Sequence, residues 1–344
     1  MTRRPRPVVV PAPLETVSSG PVPSFSVVIA AYNAADTIAE ALESALAQSL
    51  PAREIVVCDD GSEDDLAGTV APFRDRITLV RQENGGEGAA KNAGTSRASG
   101  DYVVFLDADD TFLPDRLAAL GELASSRPDL DILTTDAFLE IDGTVVRRCY
   151  EDGWTFEIED QRAAILDRNF IFGLAAVRRT RFIASGGFDP SLRYATDWDL
   201  WCRMVLAGSR AGLVDEPLAR YRLRRSSLSA DRAALLEGRC RVLERAARRE
   251  DLTPDEQTRV RRALAREQRS ALLTRTSIAL RMRSPEAREL AIRVARTRSL
   301  PPGTRAKAAL AALAPGAASR RLVDAVDQVG VSGPAGLRFP RHGS

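Results

Sequence analysis

Residues Tyr102 to Asp110 read Tyr-Val-Val-Phe-Leu-Asp-Ala-Asp-Asp, and this stretch sets the expectation for the whole fold. Its apolar half predicts a buried β-strand, because a continuous apolar run of this length is typical of a strand covered on both faces. Three carboxylates, Asp107, Asp109 and Asp110, follow at once. Ligands of open α/β sheets bind at the C-terminal ends of the strands, so the stretch predicts a binding site at this strand end.

The crowded carboxylates repel one another, and a divalent cation is the usual reason to bring such groups together. Oxygen ligands favour Mg²⁺ or Mn²⁺, and these ions favour a phosphate-bearing ligand. An Asp-rich turn that caps the helix beginning near Pro114 explains the same residues without any ligand. Taken alone, the Asp107-Ala-Asp109 pattern favours the turn, so a functional interpretation needs support from other motifs.

Strand and helix patterns alternate on both sides of this stretch. Strands separated by helices of this length predict a mostly parallel, Rossmann-like α/β sheet flanked by helices. A Gly-punctuated loop is expected over residues 182–190, before an amphipathic helix that begins near Asp197. The expected strands lie at residues 25–30, 54–58, 77–80, 102–106 and 131–135, and the expected helices lie at residues 37–48 and 91–99, after residue 62 and from residue 115.

The pattern of the sequence changes at both ends of this alternation. Residues 1–24 are rich in Pro, Ser and Val without periodicity, which predicts a disordered Pro-rich arm. Residues 25–228 form the predicted α/β domain. Residues 229–330 are rich in Ala, Leu and Arg, and they predict a C-terminal helical extension of four or five helices divided by prolines. Residues 331–344 are expected to form a flexible tail.

The composition is ordinary for a soluble protein, with 44% apolar and 28% charged residues in a chain of 344. No apolar run is long enough to cross a bilayer, so no transmembrane helix is expected. The first residues are basic and are followed by a Pro-interrupted stretch, which does not resemble a secretory signal. These features predict a cytoplasmic location.

The small net charge of +2 conceals an asymmetry: residues 1–220 hold 22 Lys and Arg against 35 Asp and Glu, whereas residues 221–344 hold 27 against 12. The acidic part can recruit metal ions. Solvated helix faces explain the basic part most simply, and peripheral contact with an anionic membrane at the inner face of the plasma membrane is the alternative. Nucleic acid is not expected as a partner, because aromatic stacking residues are scarce there.

The single histidine, His342, lies near the C-terminus, which excludes a Ser-His-Asp triad, a Cys-His pair or a His-ligated zinc ion as the basis of catalysis. The cysteines form no C-x-x-C motif, so buried free thiols are expected at Cys58, Cys149, Cys202 and Cys240. Any catalysis must then depend on carboxylates and a metal.

Polar groups follow three of the predicted parallel strands. Tyr32 and Asn33 follow the first strand, Asp59 to Ser62 follow the second, and Asp107 to Asp109 follow the fourth. Because parallel strands end at the same edge of a sheet, these groups are expected to converge. Their convergence raises the functional interpretation above that of isolated turns.

With these motifs in order, the sequence resembles the family 2 glycosyltransferases, which are inverting enzymes with the GT-A fold. The resemblance covers roughly residues 25–229 and leaves the C-terminal hundred or so residues outside. The motifs that carry it are Ser26 to Asn33, Glu54 to Ser62, Asn84 to Gly94, Asp107 to Asp109, and Gly186 to Asp189 with Asp197 to Trp201.

The resemblance implies transfer of a sugar from a nucleoside diphosphate of UDP, GDP or dTDP type to a hydroxyl acceptor, with inversion, during the synthesis of a polysaccharide, glycolipid or glycoconjugate. It further implies that Asp109 ligates Mn²⁺ or Mg²⁺ on the diphosphate and that Asp197 is the general base. A lipid-linked acceptor is one possibility. The residues implied to bind the donor are Ala31, Tyr32, Asp60, Lys91, Asp107, Ala108 and Arg222.

Several of these side chains have structural alternatives. Tyr32 can simply pack at a strand end, and Asp60 can cap the following helix. Asp197 can be a helix N-terminal charge without a catalytic part. Core packing and sugar stacking are equally expected for Trp198 and Trp201.

The chain also departs from the family pattern. Lys91 stands where Arg is frequent, which removes a bidentate contact to the donor. Thr196 replaces an acidic residue before the base and is expected to serve as a helix cap. Arg224 replaces a frequent His, so Arg222 or Arg224 can instead clamp phosphate directly.

Two other functions stay open at this stage. A sugar nucleotidyltransferase usually has a Gly-rich loop with Lys or Arg after the first strand, and here that place is Tyr32 to Asp36. A non-catalytic scaffold that retains the fold is the second alternative. Intact carboxylates at Asp107, Asp109 and Asp197 favour an enzyme.

Overall fold

The computed structural model describes residues 8–9 by their backbone and residues 22–151, 154–223 and 231–313 in full. The chain divides into two compact units, residues 1–226 and 227–344. The predicted boundary after residue 228 and the predicted tail at 331–344 lie outside the described residues. The first unit holds the strands, and in the second unit the described residues form helices.

A mixed sheet forms the centre of the first unit. In order across it lie β1, β10, β7, β9, β5, β2, β3 and β4, while β6 pairs with β10 and β8 pairs with β7. Pairing is parallel along β5, β2, β3 and β4 and between β7 and β10, whereas β9 is antiparallel to both β5 and β7. The strands are β1 (Val8–Val9), β2 (Phe25–Ala31), β3 (Glu54–Asp59), β4 (Thr78–Arg81), β5 (Tyr102–Asp107), β6 (Thr111–Phe112), β7 (Ile132–Ile141), β8 (Thr144–Arg148), β9 (Ala176–Arg178) and β10 (Ala211–Leu223).

Helices connect these strands. A 3₁₀ turn, Ala71–Arg76, follows the second helix. The helices of the first unit are α1 (Ile38–Leu46), α2 (Leu66–Val70), α3 (Glu87–Arg97), α4 (Arg116–Ser126), α5 (Gln161–Ile165), α6 (Arg179–Ala184) and α7 (Thr196–Leu206). The predicted α/β class, with a mostly parallel sheet and a C-terminal helical part, is confirmed.

Strand register brings the polar strand ends to one edge of the sheet. Ala30 pairs with Asp107 across β2 and β5, and Ala31 pairs with Asp59 across β2 and β3. Helix α3 packs closely on β2 at Gly94, where a Cβ would lie only 2.5 Å from a methyl carbon of Val28. Since Lys91 is one turn earlier on the same helix face, this close approach also brings Lys91 to the sheet.

The second unit is helical in the residues described. Its helices are α8 (Arg232–Ala247), α9 (Pro254–Arg281), α10 (Ala287–Arg296) and α11 (Pro302–Leu313). A reciprocal capping box starts α9: Glu256 N–H donates to Thr253 Oγ1, and Thr253 N–H donates to Glu256 Oε2. Small and aliphatic side chains of α9, α10 and α11 form a shared buried cluster. No helix among the described residues has the length and apolar character needed to span a bilayer.

Some sequence expectations need correction. Val8–Val9, inside the predicted disordered arm, pairs with Leu213 and Val214 of β10, because an edge strand offers unpaired backbone groups. Part of the expected 182–190 loop is helical, since α6 extends to Ala184.

Strands β9 and β10 are among those that were not expected. Strand β9 is too short to give a periodic pattern, and β10 contains Pro217 between two register shifts. Proline normally argues against a strand but is tolerated at such irregularities. The predicted buried free thiols are confirmed at all four cysteines.

Candidate active site

The loop after β2 is tied to the loop after β3. Asn33 N–H donates to Ser62 Oγ at 3.0 Å, and Glu63 N–H donates to Asn33 Oδ1 at 2.8 Å. Asn33 has a positive φ of 50°, a conformation that Asn tolerates better than most residues. The turn leaves Tyr32 48% exposed, so its ring is not packed at the strand end. Ala31, just before it, is buried.

Both carboxylates after β3 are buried and hydrogen-bonded. Asp60 accepts hydrogen bonds from Gly85 N–H at 2.9 Å, Gly86 N–H at 2.8 Å and Gln82 Nε2 at 2.7 Å. Asp59 accepts from Ser62 N–H at 2.8 Å and pairs with Arg81, so it stabilises the turn that follows β3. Asp60 therefore shapes the loop that leads into α3, and its contact with a nucleotide base stays a prediction.

A buried ammonium joins α3 to the end of β5. Lys91 Nζ lies 2.8 Å from Asp107 Oδ1 and also pairs with Glu87 Oε1, one helical turn before it. Burial alone would lower the pKa of Lys91, but the Asp107 and Glu87 carboxylates raise it well above its ordinary value. The ammonium therefore stays charged. Its predicted contact with the donor stays a prediction, since Lys91 is 4% exposed.

The carboxylates of Asp107, Asp109 and Asp110, at the C-terminal end of β5, form an electronegative cluster that we call the tip. Asp110 is buried, and its Oδ1 accepts a hydrogen bond from Arg222 N–H at 2.8 Å. Burial, followed by the Asp109 and Asp107 carboxylates, raises the pKa of Asp110 well above its ordinary value. Ala108 is buried between these residues, whereas Asp109 is partly exposed.

This tip fits a divalent cation that shares its ligands with a substrate. Among the described residues, no group of three or more His, Cys, Asp or Glu side chains is arranged to hold a metal ion. Mg²⁺ commonly takes one or two carboxylates and completes its shell with phosphate and water oxygens. The buried Asp110 Oδ2 has no hydrogen-bond donor within the part of the chain described, and together with Asp109 it makes the tip a purely oxygen-based donor set.

Arg222 reaches this edge from β10. Its guanidinium lies 2.6 Å from Glu40 Oε2 and 3.4 Å from Glu140 Oε1. The predicted phosphate contact would have to compete with these two carboxylates, and it stays a prediction. Arg224 lies outside the described residues.

Asp197 lies in the first turn of α7. Its Oδ1 accepts from Trp198 N–H at 2.8 Å, and its Oδ2 accepts from Asn169 Nδ2 at 2.9 Å. Gly173 lies beside this carboxylate: a Cβ on Gly173 would lie 3.6 Å from Asp197 Oδ2, an ordinary contact distance.

The electrostatics connect Asp197 to the donor side. Attraction to Lys91 lowers the pKa of Glu87, but burial together with the Asp107 and Asp197 carboxylates outweighs it, so the pKa is raised overall. Glu87 thus interacts with carboxylates from the end of β5 and from the start of α7. Asp107 and Glu87 therefore pair directly with Lys91, and the Asp197 carboxylate contributes to the raised pKa of Glu87.

Other expectations about α7 are decided by packing. Trp198 and Trp201 are 2% and 0% exposed, so both belong to the core and neither presents a face to a sugar. Trp198 Nε1 donates to Ile165 O at 2.9 Å. The expected cap at Thr196 is wrong, because the cap residue is Ala195, with φ 56°, and no side chain caps this helix end.

Three neighbours of the site were missed in the sequence. Glu87 precedes Lys91 by one helical turn, and this spacing was a usable signal for an ion pair. Asn169 and Gly173 carry no such signal, because they come from an irregular segment that only the fold brings to α7.

Comparison with known proteins agrees with this geometry. Residues 26–183 match the family model described as glycosyl transferase family 2. The chain is 32% identical over 219 residues to succinoglycan biosynthesis protein ExoO of Rhizobium meliloti (strain 1021), covering 60% of this chain and 63% of that one. It therefore spans less than two thirds of that relative. It is 30% identical over 214 residues to the putative teichuronic acid biosynthesis glycosyltransferase TuaG of Bacillus subtilis (strain 168), covering 61% and 83%.

Solved structures share the fold. The S. aureus TarS 1–349 complex with UDP-GlcNAc has a TM-score of 0.63 at 19% identity and covers 89% of this chain and 90% of that one. The mannosyltransferase PcManGT from Pyrobaculum calidifontis, in complex with GDP-Man and Mn²⁺, has a TM-score of 0.54 at 22% identity and covers 90% and 84%. These likenesses support the predicted GT-A fold.

The match with TuaG covers most of that relative, and the family model begins inside β2 and ends in α6. Both favour glycosyl transfer over the sugar nucleotidyltransferase and the scaffold that the sequence left open. The chain belongs to glycosyl transferase family 2.

Proposed function

We propose that this chain transfers a sugar from a nucleoside-diphosphate sugar to a hydroxyl acceptor and inverts the configuration of the anomeric carbon. The observation that supports this most is the electrostatic link from Asp107 through Lys91 and Glu87 to Asp197. It joins a strand end suited to a diphosphate with a carboxylate suited to deprotonate an acceptor. A transfer reaction needs both groups in one site.

The donor is placed along the ends of β2, β3 and β5. Tyr32, with its exposed ring, stacks on the base, while the buried Asp60 fixes the loop around it. Nucleoside diphosphates of the UDP, GDP or dTDP type fit this arrangement. TarS in complex with UDP-GlcNAc and PcManGT in complex with GDP-Man share the fold, which supports a donor of this class.

A divalent ion, Mn²⁺ or Mg²⁺, is held by Asp109 beside the donor diphosphate. When bound, it supplies positive charge that offsets the charge developing on the departing diphosphate. Asp107 pairs with Lys91 and completes the negative side of this pocket. The PcManGT complex contains Mn²⁺, which supports the presence of a metal but does not select between the two ions.

Asp197 acts as the general base. Its carboxylate accepts the proton of the acceptor hydroxyl as that oxygen forms its bond to the anomeric carbon. The bond between the anomeric carbon and the diphosphate oxygen breaks at the same time, and the diphosphate leaves with the electron pair. Attack from the face opposite the leaving group inverts the configuration. The N-terminal position in α7 and the Trp198 N–H favour the ionised carboxylate that this role requires.

The proposal is tested with the full chain and a panel of UDP-, GDP- and dTDP-sugars, each with Mn²⁺, Mg²⁺ or a chelator. We expect metal-dependent release of nucleoside diphosphate from one donor class, and a product of inverted configuration by NMR. Release that is unchanged by the chelator would contradict the metal, and a retained configuration would contradict the inverting mechanism.

We further propose that the acceptor is a cell-envelope polymer or its lipid-linked precursor, made at the cytoplasmic face of the plasma membrane. The names of ExoO and TuaG, which refer to succinoglycan and teichuronic acid, support such an acceptor. Residues 231–313 hold 20 Lys and Arg against 10 Asp and Glu. In the same unit, Met282 is 77% exposed and Leu313 is 80% exposed. Basic and apolar groups together suit an anionic lipid surface.

Sedimentation with vesicles tests this location. We expect binding to phosphatidylglycerol vesicles at low salt, weaker binding at high salt, and none to neutral vesicles. No binding to anionic vesicles at either salt concentration would end the membrane proposal without affecting the proposed chemistry.

A further inference from the structure

The side-chain amide of Asn169 has one orientation in the hydrogen-bond network. Its Oδ1 accepts from Ile171 N–H at 3.2 Å, and its Nδ2 donates to Asp197 Oδ2 at 2.9 Å. The reversed amide would place an NH₂ group against the Ile171 N–H and an oxygen against the carboxylate. Both contacts would then be repulsive, so the network itself assigns the nitrogen to Asp197.

Two stacked aromatic rings hold the segment that carries Asn169. Tyr150 and Trp154 lie with ring centroids 4.2 Å apart and an interplanar angle of 3°. Trp154 Nε1 donates to Asn169 O at 2.7 Å. Tyr150 Oη donates to Phe170 O at 2.9 Å and accepts from Phe172 N–H at 3.1 Å. These bonds fix the main chain from the Asn169 carbonyl to Phe172 without using the side-chain amide of Asn169.

We propose that Asn169 is the positioning residue for Asp197. The NH₂ group of an amide can donate a hydrogen bond but cannot accept one, so it favours the ionised form of Asp197. In that form the carboxylate can take the proton of the attacking hydroxyl group. The NH₂ group also holds Oδ2 beside Gly173, which has no side chain to occupy the adjacent position. This inference rests on the proposed role of Asp197 as general base.

The other groups around Asp197 differ in their effect on its charge. Glu87 from α3 is a carboxylate that disfavours ionisation of Asp197, and the charge of Glu87 is balanced in part by Lys91. On α7 itself, Asp199 is paired with Arg203 at 2.8 Å. The Trp198 N–H and the Asn169 amide are neutral donors that favour ionisation. Asn169 thus offsets the nearby negative charge without introducing a positive one.

Asn169→Asp is the sharpest test, because it keeps the size of the side chain and the oxygen that accepts from Ile171 N–H. It changes only the group that faces Asp197, from a donor to a second carboxylate. We expect the acid limb of the pH profile of kcat/KM for the acceptor to move upward by about one to two pH units, since a like charge at this distance raises a carboxyl pKa. On the acid side of the shifted limb kcat/KM should be about tenfold to hundredfold below that of the wild type, and it should recover as the pH rises.

Asn169→Ala is the second variant. It removes the donor without adding charge, so a smaller upward shift, of roughly half a unit, should accompany a loss of kcat at every pH. The affinity for the donor should not change in either variant, because the donor side of the site is untouched. Gln268→Glu, the same amide-to-acid change at an exposed position of α9, should leave the profile of the wild type unchanged.

The outcomes separate this inference from the proposed function. If Asp197→Asn retains full activity, Asp197 is not the base and the proposed function itself fails. If Asp197→Asn is inactive but both Asn169 variants keep the acid limb of the wild type, only the positioning role of Asn169 is overturned. A lower melting temperature with an unshifted acid limb would assign Asn169 a structural role alone.

Discussion

The two sides of the active site hold their carboxylates by different means. On the side that we call the donor edge, Asp107 and Glu87 share the buried ammonium of Lys91. On the side that we call the base pocket, Asp197 is held by the neutral donors Asn169 Nδ2 and Trp198 N–H. The first group contains a full positive charge, whereas both of these contacts to Asp197 come from neutral groups.

The difference follows from what each side must do. The donor edge gathers several carboxylates close together, and a counter-charge reduces their mutual repulsion. The base pocket has to provide a proton acceptor during the reaction, and a salt bridge would make its carboxylate a weaker base. Variants that exchange or remove these partners should therefore affect different properties of the enzyme.

The largest effect is expected in the base pocket. Asp197→Asn should lower kcat by about a thousandfold, because the amide cannot take the acceptor's proton, while donor affinity stays the same. Steady-state kinetics and calorimetric titration of the donor would measure the two effects. Asp142→Asn, at an exposed turn between β7 and β8, is the matched control and should behave as the wild type. Equal activity of the two variants would remove Asp197 from catalysis.

Removal of the positive charge of Lys91 should disturb the donor edge and also lower the stability of the folded protein. Lys91→Met leaves Asp107 and Glu87 buried without a cation, so the free energy of unfolding should fall by about 3 kcal/mol at neutral pH. The same change removes the attraction that lowers the pKa of Glu87, so that pKa rises further. A group whose pKa is higher in the folded protein than in the unfolded one binds protons preferentially when folded. The loss of unfolding free energy in Lys91→Met should therefore become smaller as the pH falls from the raised pKa of Glu87 toward its ordinary value of 4.5.

Unfolding by urea at neutral and mildly acidic pH would measure this dependence. Arg97→Met is the control on the same helix, because Arg97 is exposed in the last turn of α3 and its loss should cost less than about 1 kcal/mol. A deficit for Lys91→Met that grows as the pH falls would contradict the assigned charge pairing.

The metal-binding tip should respond through donor binding. Asp109→Asn should raise the KM for the donor roughly tenfold to hundredfold and increase the Mn²⁺ concentration needed for half-maximal rate, with a smaller effect on kcat. Rates at increasing Mn²⁺ and Mg²⁺ would measure both. If Asp109→Asn acts on kcat alone, as Asp197→Asn is expected to do, the assignment of separate roles is wrong.

The smallest effect is expected at Tyr32, the exposed residue just after β2. Tyr32→Ala should raise the KM for the donor about fivefold, which corresponds to a stacking contribution of about 1 kcal/mol. Tyr32→Phe keeps the ring and should retain the affinity of the wild type. Because Tyr32 is 48% exposed, neither change should alter the melting temperature. An unchanged KM in Tyr32→Ala would place the base of the nucleotide elsewhere.

The strands of the donor edge could be predicted from the sequence because their signals are local. The apolar runs of β2, β3 and β5 and the carboxylates that follow them are contiguous, and parallel pairing then brings their ends together. The same reasoning missed β9 and β10, since a three-residue strand has no periodicity and Pro217 breaks the pattern of the longer one.

The sequence by itself determined the fold class and the acidic strand ends, because each is encoded in a short run of neighbouring residues, and its resemblance to a family indicated the candidate base. Only the tertiary structure decided the partners of those groups. It buried both tryptophans of α7, paired Lys91 with two carboxylates and directed the amide of Asn169 to Asp197. Such partners depend on the packing of elements far apart in the chain, and no local pattern of residues specifies that packing.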